Sequence, residues 1–75
     1  MTTYALIKEI ENNPLFFKLL QKGLIPLSIL DRKCYYEKYL EEVKINTRVQ
    51  SISNTSEDFK VHENTIRNAI KMMEN

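Results

Sequence analysis

The stretch "SEDFKVHENTIRNAIKMM", residues 56–73, decides how this chain folds. Basic and amide side chains separate its five central apolar residues, which are Phe59, Val61, Ile66, Ala69 and Ile70. Such spacing predicts two short helices that cross at a tight turn, the second with its polar side outward. The rest of the sequence bears on what that polar side does.

The composition of the 75 residues predicts one small all-α domain, residues 1–75, with about five helices and a thin core. One glycine and two prolines are too few for the turns of a β-rich protein. The single cysteine cannot form an internal disulfide, which favours a reducing compartment. No apolar run could cross a bilayer and no signal-peptide pattern is present, so we expect a cytoplasmic protein without a membrane partner.

The charge of the chain is close to balanced, with 11 basic and 10 acidic residues. Residues 1–43 hold six of each sign, and residues 44–75 hold five basic against four acidic. Dedicated nucleic-acid-binding proteins usually carry a larger basic excess. Composition therefore gives no support for DNA binding, and only the local placement of charges can.

Two short helices are predicted at the N-terminus. The first lies in "TTYALIKEIENN", capped by Thr2 or Thr3 and stopped before Pro14, because the residue before a proline avoids the helical region. The second lies in "PLFFKLLQK" and ends near Gly23. It is apolar on almost every side, so we expect it to be sandwiched between packing partners.

The third and longest helix is predicted in "IPLSILDRKCYYEKYLEEVK", opening at Pro26 or Ser28. It has two apolar sides: one consists of Ile29, Tyr36, Leu40 and Val43, and the other of Leu27, Leu30 and Cys34. Two such sides indicate either a central helix or one that also meets a second copy of the chain. We interpret Cys34 as a small buried hydrophobic residue.

The last two helices occupy residues 47–74, and residues 1–45 serve as their helical support or as a dimer contact. Thr47 and Gln50 form a T-x-x-Q capping box at the start of the fourth helix. The predicted inward stripes are Val49, Ile52, Ser56 and Phe59 on the fourth helix, and Ile66, Ala69, Ile70 and Met73 on the fifth.

Residues 52–71 resemble the helix-turn-helix of prokaryotic and phage transcription regulators. In that family a small residue near the middle of the first helix lets the second cross closely, and Ser56 occupies this place. Phe59, Val61 and Ile66 match the apolar positions that fix the crossing, and Ile70 closes the second helix onto the core. The sequence departs from the family at the turn, where Lys60 stands in place of glycine and no Ser or Thr caps the second helix.

The resemblance implies sequence-specific binding of double-stranded DNA by a bacterial or phage transcription regulator. The family places the second helix in the major groove, which gives as base contacts His62, Asn64, Arg67, Asn68 and Lys71. The expected contacts to the DNA backbone are Thr47, Arg48, Thr55, Lys60 and Thr65. Glu63 lies on the same face but is unfavourable for DNA binding, because its carboxylate repels phosphate.

Other functions remain open or are disfavoured. Near-neutral charge and surplus apolar surface leave a helical protein–protein adaptor of a phage or mobile element as the alternative, and a homodimer is an additional partner to consider. Tyr35, Tyr36 and Tyr39 could stack on single-stranded nucleic acid, but core or dimer contacts are the commoner role of such residues. Cys34 and His62 lie twenty-eight positions apart, and one glycine cannot build a phosphate loop. We therefore expect no enzyme activity, cofactor, metal or small-molecule substrate.

Overall fold

The computed structural model describes residues 1–75 as five α-helices without a β-strand. The helices are α1 (Thr3–Ile10), α2 (Pro14–Gln21), α3 (Ser28–Glu42), α4 (Arg48–Phe59) and α5 (Glu63–Glu74). The predicted all-α class and the number of helices are confirmed. None of the five helices combines the length and the apolar composition that a bilayer crossing requires.

The helix boundaries follow the capping residues. The Thr2 hydroxyl accepts a hydrogen bond from the Ala5 amide at 3.1 Å and begins α1. The Asn13 side chain accepts from the Leu15 amide at 2.9 Å and begins α2, with Pro14 in its first turn. Gly23 ends α2 with a φ of 74°, a left-handed conformation that glycine adopts without strain.

The core lies where α3 packs against α4 and α5, and α1 closes it by contact with α5. Ile7, Tyr36 and Ile52 bring α1, α3 and α4 into one buried cluster. Its other members are Tyr39, Ile66, Ile70 and Met73. The inner side predicted for α3 is confirmed, because Tyr36 is buried in this cluster and Ile29, Leu40 and Val43 pack against it. Helix α3 is therefore the central support of the bundle.

The polar edge of the core is closed by two tyrosines. The rings of Tyr4 and Tyr36 meet edge to face, with centroids 5.0 Å apart. The Tyr4 hydroxyl donates to Glu37 at 2.9 Å, and the Tyr36 hydroxyl donates to Glu74 at 3.3 Å. Burial, the hydrogen bond and the nearby Glu37 carboxylate raise the pKa of Tyr4 to about 12. These bonds tie α1 and α5 to α3.

The buried side of α4 differs from the predicted stripe. Ile52 and Ser56 are buried as predicted, whereas Val49 and Phe59 are 72% and 39% exposed. Ser51 and Thr55 complete the side that meets the core. The hydroxyls of Ser51 and Thr55 donate to main-chain carbonyls four residues earlier, at 2.7 and 2.8 Å. The hydrogen-bonding groups of these small side chains are thereby satisfied within their own helix, so the side chains can face the core in place of larger apolar residues.

Helix α2 is less buried than its composition predicts. Phe16 is its only buried residue, while Leu15 and Phe17 are exposed, so the expectation of a helix sandwiched within the chain is wrong. The interpretation of Cys34 as buried is also wrong, because Cys34 is exposed. It lies on α3 opposite the side that carries Tyr36.

Ion pairs connect the helices outside the core. Glu11, just after α1, pairs with Lys33 of α3 and with Lys8 at 3.2 Å. Hydrogen bonds from Lys33 and Lys8 lower the pKa of Glu11 below its usual value of 4.5. Lys38 of α3 reaches Asp58 of α4 at 3.5 Å.

Candidate nucleic-acid interface

The turn between α4 and α5 consists of Lys60, Val61 and His62. Lys60 has φ 56° and ψ 45°, the left-handed conformation expected at the position where glycine is usual. Its amide donates to the Glu57 carbonyl at 3.3 Å, and the Val61 amide donates to the Ser56 carbonyl at 3.0 Å. This is the Schellman arrangement of a helix C-terminus. It ends α4 sharply and prevents the two helices from continuing as one rod.

The start of α5 has a weak cap. His62 is the residue before the helix, and its side chain makes no capping hydrogen bond. Its main-chain carbonyl accepts from the Thr65 amide at 3.0 Å and from the Ile66 amide at 3.4 Å, which closes the first turn. The amides at the very start of α5 receive no side-chain cap and remain available to an acceptor outside the chain.

The inward side of α5 fixes the direction of its outward side. Ile66, Ala69, Ile70 and Met73 are buried at 1% exposure or less, as predicted from their spacing. Helices α1, α3 and α4 all contact α5 on this side. The opposite side therefore projects into solvent, and all five residues predicted as base contacts are exposed on it: His62, Asn64, Arg67, Asn68 and Lys71.

Arg67 is held toward the start of α5. Its guanidinium donates to the Asn64 side chain at 3.2 Å and pairs with the Glu63 carboxylate at 3.3 Å. Both charged side chains of this pair are about half exposed, so the attraction is weakened by water. Together with His62 these residues line an open depression of about 420 Å³ whose walls are wholly polar. Glu63 was not predicted as the partner of Arg67, although their spacing of four residues is the signal for such a pair.

Four of the five predicted backbone contacts lie on the surface: Thr47, Arg48, Lys60 and Thr65. Thr47 also caps α4, because its hydroxyl oxygen accepts from the Gln50 amide at 3.2 Å. The reciprocal half of the predicted capping box is missing, since the Gln50 side chain bonds to Asn54 instead.

The fifth predicted backbone contact, Thr55, is wrong. Thr55 is completely buried, and its hydroxyl is occupied by the Ser51 carbonyl. A phosphate oxygen cannot reach it without unfolding α4, so Thr55 belongs to the packing of the helix.

Comparisons with known proteins give no further assignment, because no family model, no curated protein and no solved structure matches the chain. A function for the candidate site can therefore be inferred only from its geometry. What that geometry offers is an exposed polar helix face with donors and acceptors at the helix start, positioned by a tight turn and a buried apolar side.

Proposed function

We propose that the protein binds double-stranded DNA through the outward face of α5 and acts as a cytoplasmic transcription regulator of bacterial or phage origin. In this proposal α5 enters the major groove with its N-terminal end toward the bases. Arg67 donates to guanine O6 and N7, and Asn64 or Asn68 forms paired hydrogen bonds with adenine. His62 and Lys71 extend the same face, and Thr47, Arg48, Lys60 and Thr65 hold phosphates.

The observation that carries the proposal is the combination of a sharp turn with the two sides of α5. The buried side anchors the helix in the core, and the opposite side presents an arginine and two asparagines, Arg67, Asn64 and Asn68, within five residues. Arginine and asparagine are the side chains that read guanine and adenine with two hydrogen bonds each.

The charge distribution determines how strongly the protein is expected to bind DNA. The outward face carries Arg67 and Lys71 against Glu63, and the chain as a whole has a net charge of +1. Neutralisation of phosphates is the main source of non-specific affinity, so we expect weak binding to arbitrary DNA and stronger binding only where the base contacts match.

The test is a fluorescence-anisotropy titration against a pool of random DNA fragments, with enrichment of the bound sequences. On the enriched sequence, Arg67→Ala is expected to weaken binding by about 1–3 kcal/mol, roughly 5-fold to 150-fold, and to relax the preference for one base. Raising the salt concentration is expected to weaken binding in proportion to the number of phosphates neutralised.

The matched control is Lys22→Ala, which also removes one exposed positive charge but lies beyond the end of α2. It is expected to leave the affinity within about twofold, because it lies outside the proposed face and its charge is screened by salt. Equal losses in the two variants would show that binding, if any, is only a response to net charge. Absence of binding at low salt would exclude DNA as the ligand.

A second candidate function, a helical protein–protein adaptor, is favoured by the exposed apolar residues of α2 and α3. A partner bound through such residues should dissociate little when salt is raised, whereas DNA should dissociate steeply. The salt dependence of whichever ligand binds therefore separates the two functions.

A further inference from the structure

We infer that Arg32 of α3 is a further contact to the DNA backbone, so that the interface extends beyond the α4–α5 pair. The inference rests on the proposed function and names the ligand of this side chain as a phosphate of the double strand. Arg32 lies outside residues 52–71, so neither the resemblance nor the spacing along the fifth helix points to it. Its position in the fold does.

Arg32 lies on the side of α3 that packs against α5. It precedes Tyr36 by four residues, which places both side chains on one side of the helix. The Tyr36 hydroxyl donates to Glu74 at 3.3 Å, and one turn earlier the Arg32 guanidinium donates to the Sδ atom of Met72, also at 3.3 Å. Tyr36 is buried, whereas Arg32 is exposed. The guanidinium therefore lies at the surface, beside the last turn of α5.

Met72 connects Arg32 to the outward face of α5. It follows Thr65 by seven residues and Asn68 by four, so the three lie along one flank of that face. Residues four apart on a helix have Cβ atoms about 5–6 Å from each other, so the guanidinium on Met72 borders the outward face. A helix with its side chains is about 10–12 Å across and the major groove is about 12 Å wide, so a helix in the groove has a DNA backbone along each flank. In the proposed complex, Arg32 and Thr65 therefore face the same DNA strand.

The charges of α5 make this flank the favourable one for phosphate. Glu63 and Met72 are nine residues apart, about two and a half turns, and so lie on opposite flanks. Glu74, the other acidic residue of α5, follows Glu63 by eleven residues, about three turns, and lies on the same flank as Glu63. Asp31, next to Arg32 in the chain, is turned about 100° away from it around α3. Arg32 therefore adds a positive charge to the flank that carries no acidic side chain of α5.

The guanidinium of Arg32 has donors to spare for a phosphate. It forms no ion pair within the chain, and its hydrogen bond goes to a thioether, which is a weak acceptor. A guanidinium presents its N–H donors in a planar fork that matches two phosphate oxygens, and such charged hydrogen bonds are roughly twice as strong as neutral ones. The contact with Met72 holds the side chain beside the groove, which reduces the cost of ordering it on binding.

The test is an anisotropy titration of the full chain on the enriched sequence and on the random pool, at about 50 mM and about 200 mM salt. Arg32→Ala is expected to weaken binding about tenfold at the lower salt concentration and about threefold at the higher one. The reason is that one neutralised phosphate is lost, so the slope of log K against log salt falls by about 0.9. The loss is expected to be equal on both DNAs, since a phosphate contact does not read sequence. Arg32→Lys keeps the charge and is expected to keep the slope.

The matched control is Lys22→Ala, which also removes an exposed positive charge without an ion pair and is expected to leave the slope unchanged. Urea unfolding gives a second readout, because a positive charge near the last turn of a helix stabilises that helix. An Arg32 with only this structural role would lower the urea midpoint of Arg32→Ala and leave the slope as it is, which would overturn the inference. Equal losses in Arg32→Ala and Lys22→Ala, or a loss on the enriched sequence alone, would overturn it too.

The same titrations separate this inference from the proposed function. If the original chain binds no DNA at low salt, both are wrong. If Arg67→Ala relaxes the base preference while Arg32→Ala leaves the salt dependence unchanged, DNA binding by α5 stands and the contact by Arg32 is excluded.

Discussion

Helices α5 and α2 make an instructive pair, because the more polar of the two is the better buried. Five of the eight residues of α2 are Leu or Phe, yet only Phe16 is buried. Helix α5 carries charges or amides at half of its twelve positions, yet Ile66, Ala69, Ile70 and Met73 are almost completely buried. The difference lies in arrangement: the buried residues of α5 occupy one narrow side, whereas the apolar residues of α2 extend over about half of the helix circumference, with Leu15 and Phe17 on its two flanks. One core can cover a narrow side, but the flanks of a broad apolar side need further neighbours, which this chain does not supply.

The largest effect that tests this comparison is on stability. Ile66→Ala is expected to lower the free energy of unfolding by about 2–5 kcal/mol, because it empties a fully enclosed site. Phe17→Ala removes a larger side chain but one that is 61% exposed, and it is expected to change stability by less than about 0.5 kcal/mol. Urea unfolding followed by circular dichroism measures both.

A small domain could be unfolded by Ile66→Ala, so Ile66→Val provides the graded version, with an expected loss of about 0.5–1.5 kcal/mol. If Phe17→Ala proved as damaging as either change at Ile66, then α2 would be part of the core and the comparison would fail.

A second comparison concerns the C-terminal ends of α2 and α4. Helices α2 and α4 both end in the Schellman arrangement, the first with Gly23 and the second with Lys60 in the left-handed conformation. Lys60→Gly is expected to raise stability by about 1 kcal/mol, and Gly23→Ala to lower it by a similar amount. A Cβ atom at Gly23 would meet nothing within 4 Å, so its cost is backbone strain alone.

For a domain of this size, 1 kcal/mol corresponds to a shift in Tm of about 4–8 °C, which thermal unfolding resolves. Opposite shifts of similar size are expected in the two variants. Shifts of the same sign would mean that the Lys60 side chain has a stabilising contact that outweighs the strain.

Much of this architecture could be predicted from the sequence, because it depends on local rules. Thr2, Asn13 and Thr47 cap their helices, and the spacing of Ile66, Ala69, Ile70 and Met73 settles which side of α5 faces outward. The exposure of the predicted base contacts follows from that spacing.

The errors concern tertiary packing, which local rules do not determine. Val49 was predicted to be buried and is exposed, whereas Thr55 was predicted to be exposed and is buried. A hydroxyl that donates to a carbonyl of its own helix can be buried, and a pattern based on hydrophobicity alone does not predict this. Cys34 and Phe17 are exposed because no other segment of the chain packs on them. The spacing of apolar residues along a helix does not show how many segments are available to cover it.

A smaller effect is expected from pH. Because Lys33 and Lys8 lower the folded-state pKa of Glu11, the stability that Glu11 contributes is complete above its unfolded pKa of 4.5 and is lost as pH falls through the lower folded value. Glu11→Gln is therefore expected to reduce the urea midpoint at about pH 6 and to differ less from the original chain at about pH 3. The control is Glu9→Gln, an exposed neighbour in α1 without an ion pair, which should not change the midpoint at either pH. A constant difference between Glu11→Gln and the original chain at both pH values would contradict the assigned role of the ion pairs.

The smallest predicted effect is on DNA binding by the outward face of α5, and it is a gain in affinity. Glu63 holds Arg67 by an exposed ion pair of the kind that contributes at most about 1 kcal/mol, and its carboxylate also repels phosphate. Glu63→Gln should therefore strengthen DNA binding by roughly twofold to fivefold, because it releases the arginine and removes the repulsion at once. Stability should fall by no more than a few tenths of a kcal/mol, since i, i+4 pairs on a helix surface are weak.

The matched control for Glu63→Gln is Glu57→Gln, which removes an exposed acidic charge on α4 that forms no ion pair. Anisotropy titrations at two salt concentrations test whether the gain is electrostatic, because added salt weakens both the repulsion of phosphate and the exposed ion pair with Arg67. Weaker binding by Glu63→Gln would have the opposite meaning: Glu63 would then accept from a base such as cytosine, or would hold Arg67 in its reading position. The double variant Glu63→Gln, Arg67→Ala decides between these two roles, because an effect of Glu63 that acts through Arg67 must vanish once Arg67 is gone.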